Sequence, residues 1–184
     1  MIVLGIDPGS IKLGYAVIEV QNRLSWKVLS WGGWDLKKEA PDSWGDRSEI
    51  LFAKLKSLLE QYNPHLIGFE KAVSFKSVPA ALTLSEARGV IRFTIHHSLD
   101  QANQRIVELS PTQVKKACTG NGRATKENMM KILKLRTKSF PDLKNSSSAM
   151  HDAYDALAIA WAASIVHNSY RHGIKHRTAA RAES

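Results

Sequence analysis

The chain has 184 residues, 43% hydrophobic and 23% charged, a balance that fits one globular domain with a sizeable core and excludes wholesale disorder or a low-complexity filament. Its 26 Lys and Arg against 17 Asp and Glu leave a net charge of +9, which points towards a polyanionic partner. The longest apolar run, Ala156 to Val166, falls short of the roughly 20 residues that cross a bilayer. Met1 to Ile6 has neither the basic start nor the length of a signal peptide, so a soluble, unexported protein is expected.

Ile2 to Ile6 is a short branched apolar run, read as a buried strand, that ends in the turn signal Asp7-Pro8-Gly9-Ser10. Lys12 to Val20 alternates, with Leu13, Tyr15 and Val17 on one face and Ala16 and Ile18 on the other. After a turn at Gln21-Asn22-Arg23, Leu24 to Trp34 alternates again, completing an antiparallel meander. Asp46 to Tyr62 has the 3.6-residue period of an amphipathic helix and stops at Asn63-Pro64. His65 to Phe69 is the next strand and ends at Glu70. Ser77 then caps a long helix with Pro79 in its first turn and Leu84, Ala87, Ile91 and Ile95 along one side.

Arg105 to Leu109 reads as the fifth strand. Ser110-Pro111-Thr112-Gln113 opens a helix with capping-box spacing, and Gly120-Asn121-Gly122 closes it. Thr125 caps another helix reaching Leu135. Pro141 to Ser148 reads as a loop, and Ala149 to His167 as a final alanine-rich helix. The small residues Ala153, Ala156, Ala160 and Ala163 would let that helix lie close against a sheet. The order implies an α/β fold, a mixed five-stranded sheet flanked by helices. Residues 1–168 are expected to form the domain, and 169–184 a basic, flexible tail.

The charge excess is uneven. Residues 1–92 carry 12 basic and 10 acidic side chains, and residues 93–184 carry 14 and 7. Nine bases lie between Lys115 and Lys144, against Glu127 and Asp142 alone. Nucleic acid is the simplest partner for such a concentration, because neutralised phosphates release counterions. A solvated basic face is the alternative reading. Cys118 is the single cysteine, so no internal disulfide and no cysteine-built zinc cage can form, and it reads as a packed, inert thiol.

Four acids stand out. Asp7 and Glu70 each sit where a buried strand runs out, the place where α/β sheets present functional groups. Asp152 and Asp155 are one helical turn apart and share a face. If the last helix packs beside the first and fourth strands, all four converge. Such a cluster repels itself unless something cationic holds it together. Oxygen donors without cysteine favour Mg²⁺ or Mn²⁺ over zinc, and two such ions about 4 Å apart can serve phosphodiester cleavage. Each acid also has a plainer reading: a turn residue, the first wet residue after a strand, or acids favouring a helix N-terminus.

These residues resemble the RuvC family of Holliday junction resolvases, within the RNase H-like superfamily. The resemblance rests on Gly5-Ile6-Asp7-Pro8-Gly9-Ser10 with Gly14 and Tyr15, on Ile67-Gly68-Phe69-Glu70, on Ala81-Leu82 through Glu86-Ala87-Arg88-Gly89-Val90, and on the run Asp152 to Ala160. It implies that Asp7, Glu70, Asp152 and Asp155 are catalytic and ligate two Mg²⁺ ions, with Mn²⁺ able to substitute. It further implies a homodimer that cuts two symmetry-related strands of a four-way DNA junction, leaving 5′-phosphate and 3′-hydroxyl ends. A cytoplasmic, nucleoid-associated setting (or a host cytoplasm for a viral source) and a branch-migration helicase as partner follow from the same resemblance.

Lys115 and Lys126 occupy positions that in the family serve DNA binding or catalysis, and Arg88, Lys76 and Arg123 are further candidates for DNA contact. The family commonly places an aromatic residue three positions beyond the second acid. Here Val73 stands there and Phe75 follows, so Phe75 is the candidate to stack on a base. The tryptophans Trp26, Trp31, Trp34 and Trp44 read as core and edge packing. Two other readings compete with a nuclease. A module that binds branched DNA without cutting would have no use for gathered acids, and an actin-like or sugar kinase needs a second lobe that this length does not supply. A nuclease of broader branched-DNA specificity remains open.

Overall fold

The computed structural model describes residues 1–22, 25–71, 77–99, 105–137 and 149–182. The loop expected over 141–148, and Val73, Phe75 and Lys76, lie outside them. In chain order the elements are β1 (Ile2–Asp7), β2 (Lys12–Val20), β3 (Trp26–Asp35), α1 (Leu36–Glu39), α2 (Trp44–Tyr62), β4 (Leu66–Glu70), α3 (Val78–Ser98), β5 (Arg105–Leu109), α4 (Pro111–Thr119), α5 (Lys126–Arg136) and α6 (Ala149–Ala182). The sheet order is β3-β2-β1-β4-β5. The first three strands form the expected antiparallel meander, while β4 and β5 run parallel to β1.

Strand alternation divides the core into two layers. Leu4, Ile6, Leu13, Val17, Ile67 and Phe69 face α2 and α3, where they meet Leu51, Leu55, Leu59, Ala87 and Ile91. Val3, Ala16, Ile18, Leu66 and Leu109 face the other way, against Val114, Cys118, Met129, Leu133 and the alanine-rich side of α6. Trp26 is fully buried in this second layer, its ring 5.7 Å from that of Trp161. Trp31 meets Tyr154 edge-on at 5.3 Å and Trp34 packs on Tyr15 at 4.8 Å, which accords with a packing role for these tryptophans.

Side chains cap the helices as their sequences suggest. Ser77 accepts from the Ala80 amide, Thr125 accepts from the Asn128 amide, and Ser110 with Gln113 forms a full capping box. Two boundaries differ from expectation. The short α1 has no periodic pattern to announce it and forms because Asp35 caps the Lys38 amide while Leu36 drops into the core. The last helix continues past His167 to Ala182. Residues 168–182 contain no proline and one glycine, amid Ala, Arg, Lys and His that sustain a helix. Among the described residues no helix is long and apolar enough to cross a membrane.

What seats α6 is a row of glycines on three neighbouring strands. A Cβ at Gly5 of β1 would lie 2.6 Å from the Ala160 nitrogen and still closer to the Ala156 carbonyl. One at Gly14 of β2 would overlap the Asp152 carbonyl, and one at Gly68 of β4 would stand 2.6 Å from the Ala163 Cβ. Glycine facing alanine lets helix backbone rest almost directly on sheet backbone, nearer than any larger pair permits. Gly5→Ala should therefore lower unfolding stability in urea by about 1–3 kcal/mol or more, because backbone rather than a flexible side chain must yield. Gly45→Ala, in the open first turn of α2, should leave stability unchanged or raise it by up to about 1 kcal/mol.

Candidate functional site

The same alternation that builds the core aims the acids. Val3, Gly5 and Asp7 share the α6 face of β1, and Leu66, Gly68 and Glu70 share the α6 face of β4. Parallel pairing runs from Val3↔Leu66 to Ile6↔Phe69, so the next step of the register sets Asp7 beside Glu70 at the strand tips. On the other side Asp7 pairs with Gly14, and the Asp152 main chain rests over Gly14. Asp155 lies one turn along α6. Together with Glu70, Lys115 and Lys126 it edges a cavity of about 200 Å³ whose floor is Val114, Met129 and Ile159.

The electrostatics record this convergence. The Asp7 carboxyl is pushed up to about 8, first by burial and then by the charges of Asp155, Glu70 and Asp152, with Lys126 opposing. Burial and Asp155 also raise Glu70 above the ordinary carboxylate range, against the pull of Lys126 and Arg88. Lys126 donates from Nζ to Asp155 Oδ2 at 2.7 Å, and that hydrogen bond holds the ammonium above its usual value. Among the described residues no three His, Cys, Asp or Glu side chains close into a ready-made metal cage. Four like charges spread apart unless a cation lies among them, and here the cation in contact is the Lys126 ammonium.

The donors nevertheless fit a hard divalent ion. All four are carboxylates, one of them driven to hold its proton by burial and by the charges of the other three, a conflict that a cation relieves. The chain's one thiol stands outside the site: Cys118 is buried, donates to the Ala158 carbonyl at 3.5 Å and is pushed up to about 12 by burial.

The other expected contacts separate. Lys115 and Lys126 reach the acidic cavity. Arg123 is exposed beyond the end of α4, in the turn where its amide donates to Asn121 Oδ1. Arg88 faces into the protein, its guanidinium donating to the Glu70 main-chain carbonyl and to Glu108 Oε2 at 3.4 Å. Glu108 itself is absent from the sequence-based expectations. The available signal is a glutamate on the face of β5 that it shares with Ile106, set between the apolar Val107 and Leu109.

A mixed five-stranded sheet whose two central strand tips carry acids, crossed by a helix bearing two more, has the architecture of RNase H-like proteins. In fold the chain is similar to Thermus thermophilus RuvC in complex with a Holliday junction substrate (TM-score 0.78, 24% identity, 91% of this chain and 94% of that one). It is also similar in fold to the yeast mitochondrial Holliday junction resolvase (TM-score 0.67, 18% identity, 95% and 83%). In sequence it is 35% identical over 176 residues to the crossover junction endodeoxyribonuclease RuvC of Petrotoga mobilis, covering 96% of this chain and 98% of the relative. Identity is also 35% to the same enzyme of Chlorobium chlorochromatii, covering all of this chain and 90% of that one. The family model for crossover junction endodeoxyribonuclease RuvC matches residues 3–163. The chain belongs to the RuvC family.

The raised Asp7 value sets a pH dependence. The folded protein holds this proton up to about pH 8 while an unfolded aspartate releases it near 3.8, so the associated stability is complete below about pH 4 and is lost as pH rises towards 8. Thermal melts in EDTA should show the melting temperature falling between pH 5 and 8. Asp7→Asn should flatten that fall and melt above the wild type at pH 8; parallel slopes for the two proteins would contradict the assignment.

Proposed function

We propose that this chain is a divalent-metal-dependent endonuclease that resolves four-way DNA junctions by paired phosphodiester hydrolysis, leaving 5′-phosphate and 3′-hydroxyl ends. The observation that carries the reading is the electrostatic meeting of Asp7, Glu70, Asp152 and Asp155, drawn from two strand tips and one helix, in a chain of the RuvC family. The relatives bear the name crossover junction endodeoxyribonuclease, and the similar Thermus fold was solved with a Holliday junction.

Asp7, Glu70, Asp152 and Asp155 would hold the cations, two of them in this reading, Mg²⁺ in the first place with Mn²⁺ able to replace it. When bound, the metal supplies Lewis acidity that activates water and neutralises charge on the phosphate. The chain's own residues do the rest. The half-buried position of Asp7 at the tip of β1 limits the water that competes for its carboxylate. Lys115 and Lys126, on the rim beside Glu70 and Asp155, offset charge that builds on the phosphate as the bond breaks. The Lys126 ammonium, already paired with Asp155, holds the acids' mutual repulsion in check before substrate arrives. The basic stretch from Lys115 onward tracks backbone phosphates whatever their sequence, so recognition follows junction shape.

A homodimer completes the reading, since an isologous pair offers two identical sites to a two-fold substrate. The outer side of α3 supports it. Val78, Leu82 and Phe93 are largely exposed; Leu82 and Phe93 lie about three whole turns apart on one side of the helix, and Phe93 stacks on His97 next to Phe52.

The deciding assay compares labelled four-way junction, Y-fork, flap and linear duplex with and without Mg²⁺. Paired nicks on the junction that require Mg²⁺ are expected, and tight binding with no nick at any metal concentration would overturn the proposal. Asp7→Asn should lose more than about 100-fold in cleavage while junction binding in EDTA is kept or strengthened, because a ligand and a repulsive charge go together. Lys115→Ala should weaken junction binding and reduce the slope of log affinity against log salt by about 1. Light scattering should give a dimer mass for the wild type, and Phe93→Glu should shift it towards monomer.

A further inference from the structure

We infer that Arg88 is a positioning residue for Glu70, acting from the opposite side of the sheet; this rests on the reading of Glu70 as a metal-holding acid. Its side chain is only 12% exposed. The guanidinium donates to the main-chain carbonyl of Glu70, the last residue of β4, and to Glu108 Oε2 on β5, and its centre lies 4.7 Å over the ring of Phe69. Arg92, one turn further along α3, binds the other oxygen of Glu108 and faces the same ring at 5.3 Å. Phe69 and Glu108 are register partners on adjacent strands, so both arginines brace one cross-strand pair.

The geometry has a direct consequence for the acid. Glu70 sends its side chain to the α6 face, while its carbonyl is gripped from the α3 side. β4 ends there, with the Lys71 amide donating to the Leu109 carbonyl at 2.8 Å as the final tie to β5. Beyond β1's last pairing at Ile6↔Phe69, the orientation of the Glu70 peptide is set by that tie and by Arg88. Only a planar fork with several donors can hold a carbonyl and a carboxylate at once while its face covers an aromatic ring. Turned inward, with both terminal nitrogens engaged within the fold, Arg88 stands apart from the phosphate-facing lysines. Supports of this kind around a metal ligand are worth about 10–100-fold in metal affinity or activity.

The test uses full-length Arg88→Gln and Arg88→Lys. At saturating junction and Mg²⁺, Arg88→Gln should lower kcat by about 10–100-fold with KM and EDTA junction affinity within about twofold of wild type, and Arg88→Lys should recover part of the loss. Mn²⁺ titrated into DNA-free protein and followed by the resonance of the free ion should bind about tenfold more weakly to Arg88→Gln. Unchanged kcat and Mn²⁺ affinity in a folded variant would overturn the inference. So would weaker junction binding in EDTA with a salt slope reduced by about 1, which would make Arg88 a phosphate contact. If Arg88→Gln does not fold, Glu108→Gln removes one anchor of Arg88 and should show the same pattern at smaller size; wild-type Mn²⁺ affinity in that variant overturns the inference. A wild type that binds Mn²⁺ but never cuts a junction would sink the proposed function alone, and the Mn²⁺ comparison would still decide the role of Arg88.

Discussion

The close seating of α6 on Gly5, Gly14 and Gly68 is the contact from which the rest of the molecule takes its geometry. Three glycines on adjacent strands strip the sheet to backbone along one diagonal, and the alanines of α6 present an equally bare surface to it. Side chains of ordinary size on either partner would hold the helix away and carry Asp152 and Asp155 off the strand tips. Tight packing here therefore does more than fill space: it sets how far two aspartates stand from Asp7 and Glu70. Because backbone meets backbone, the approach is stiff, and small volume changes along that diagonal are transmitted to the acids.

That stiffness comes with an electrostatic conflict. The fold forces four carboxylates towards one another at the edge of a half-buried cleft, and Asp7 answers by holding its proton to about pH 8. Lys126 eases the strain at Asp155 with a short ion pair but leaves Asp7 and Glu70 raised. A protein selected for stability alone would place hydrophobic or neutral groups here. Local strain of this sort marks positions where function is worth a stability cost, and for a RuvC-family chain that function is divalent-metal chemistry on DNA.

The two faces of the sheet divide the work. The α6 face carries the acids, with Lys115 and Lys126 at their rim. The α3 face carries the brace of Arg88, Arg92, Glu108 and Phe69, which grips the end of β4 from behind. Further out, the exposed Leu82 and Phe93 give the same helix an apolar outer side. One helix thus links the interior support of Glu70 with the surface on which the proposed dimer would form.

Much of this was legible in the residue order. The branched apolar run Ile2–Ile6, the period-two alternation in Lys12–Val20, the caps at Ser77, Ser110 and Thr125, and the 3.6-residue pattern over the second helix follow from local stereochemistry, which sequence encodes directly. The acids could be named because each ends a strand or shares a helical face. The spacing of Ala153, Ala156, Ala160 and Ala163 even announced a close-packed helix. What the chain order could not show was where separate elements meet. The partners of the strand glycines, the pairing of Lys126 with Asp155, and the inward turn of Arg88 towards Glu70 and Glu108 join residues 18 to about 150 positions apart. Local rules set how each segment folds and which side it turns to the core; only packing in three dimensions brings distant charges within reach, because Coulomb and hydrogen-bond energies depend on separation in space and carry no memory of separation along the chain.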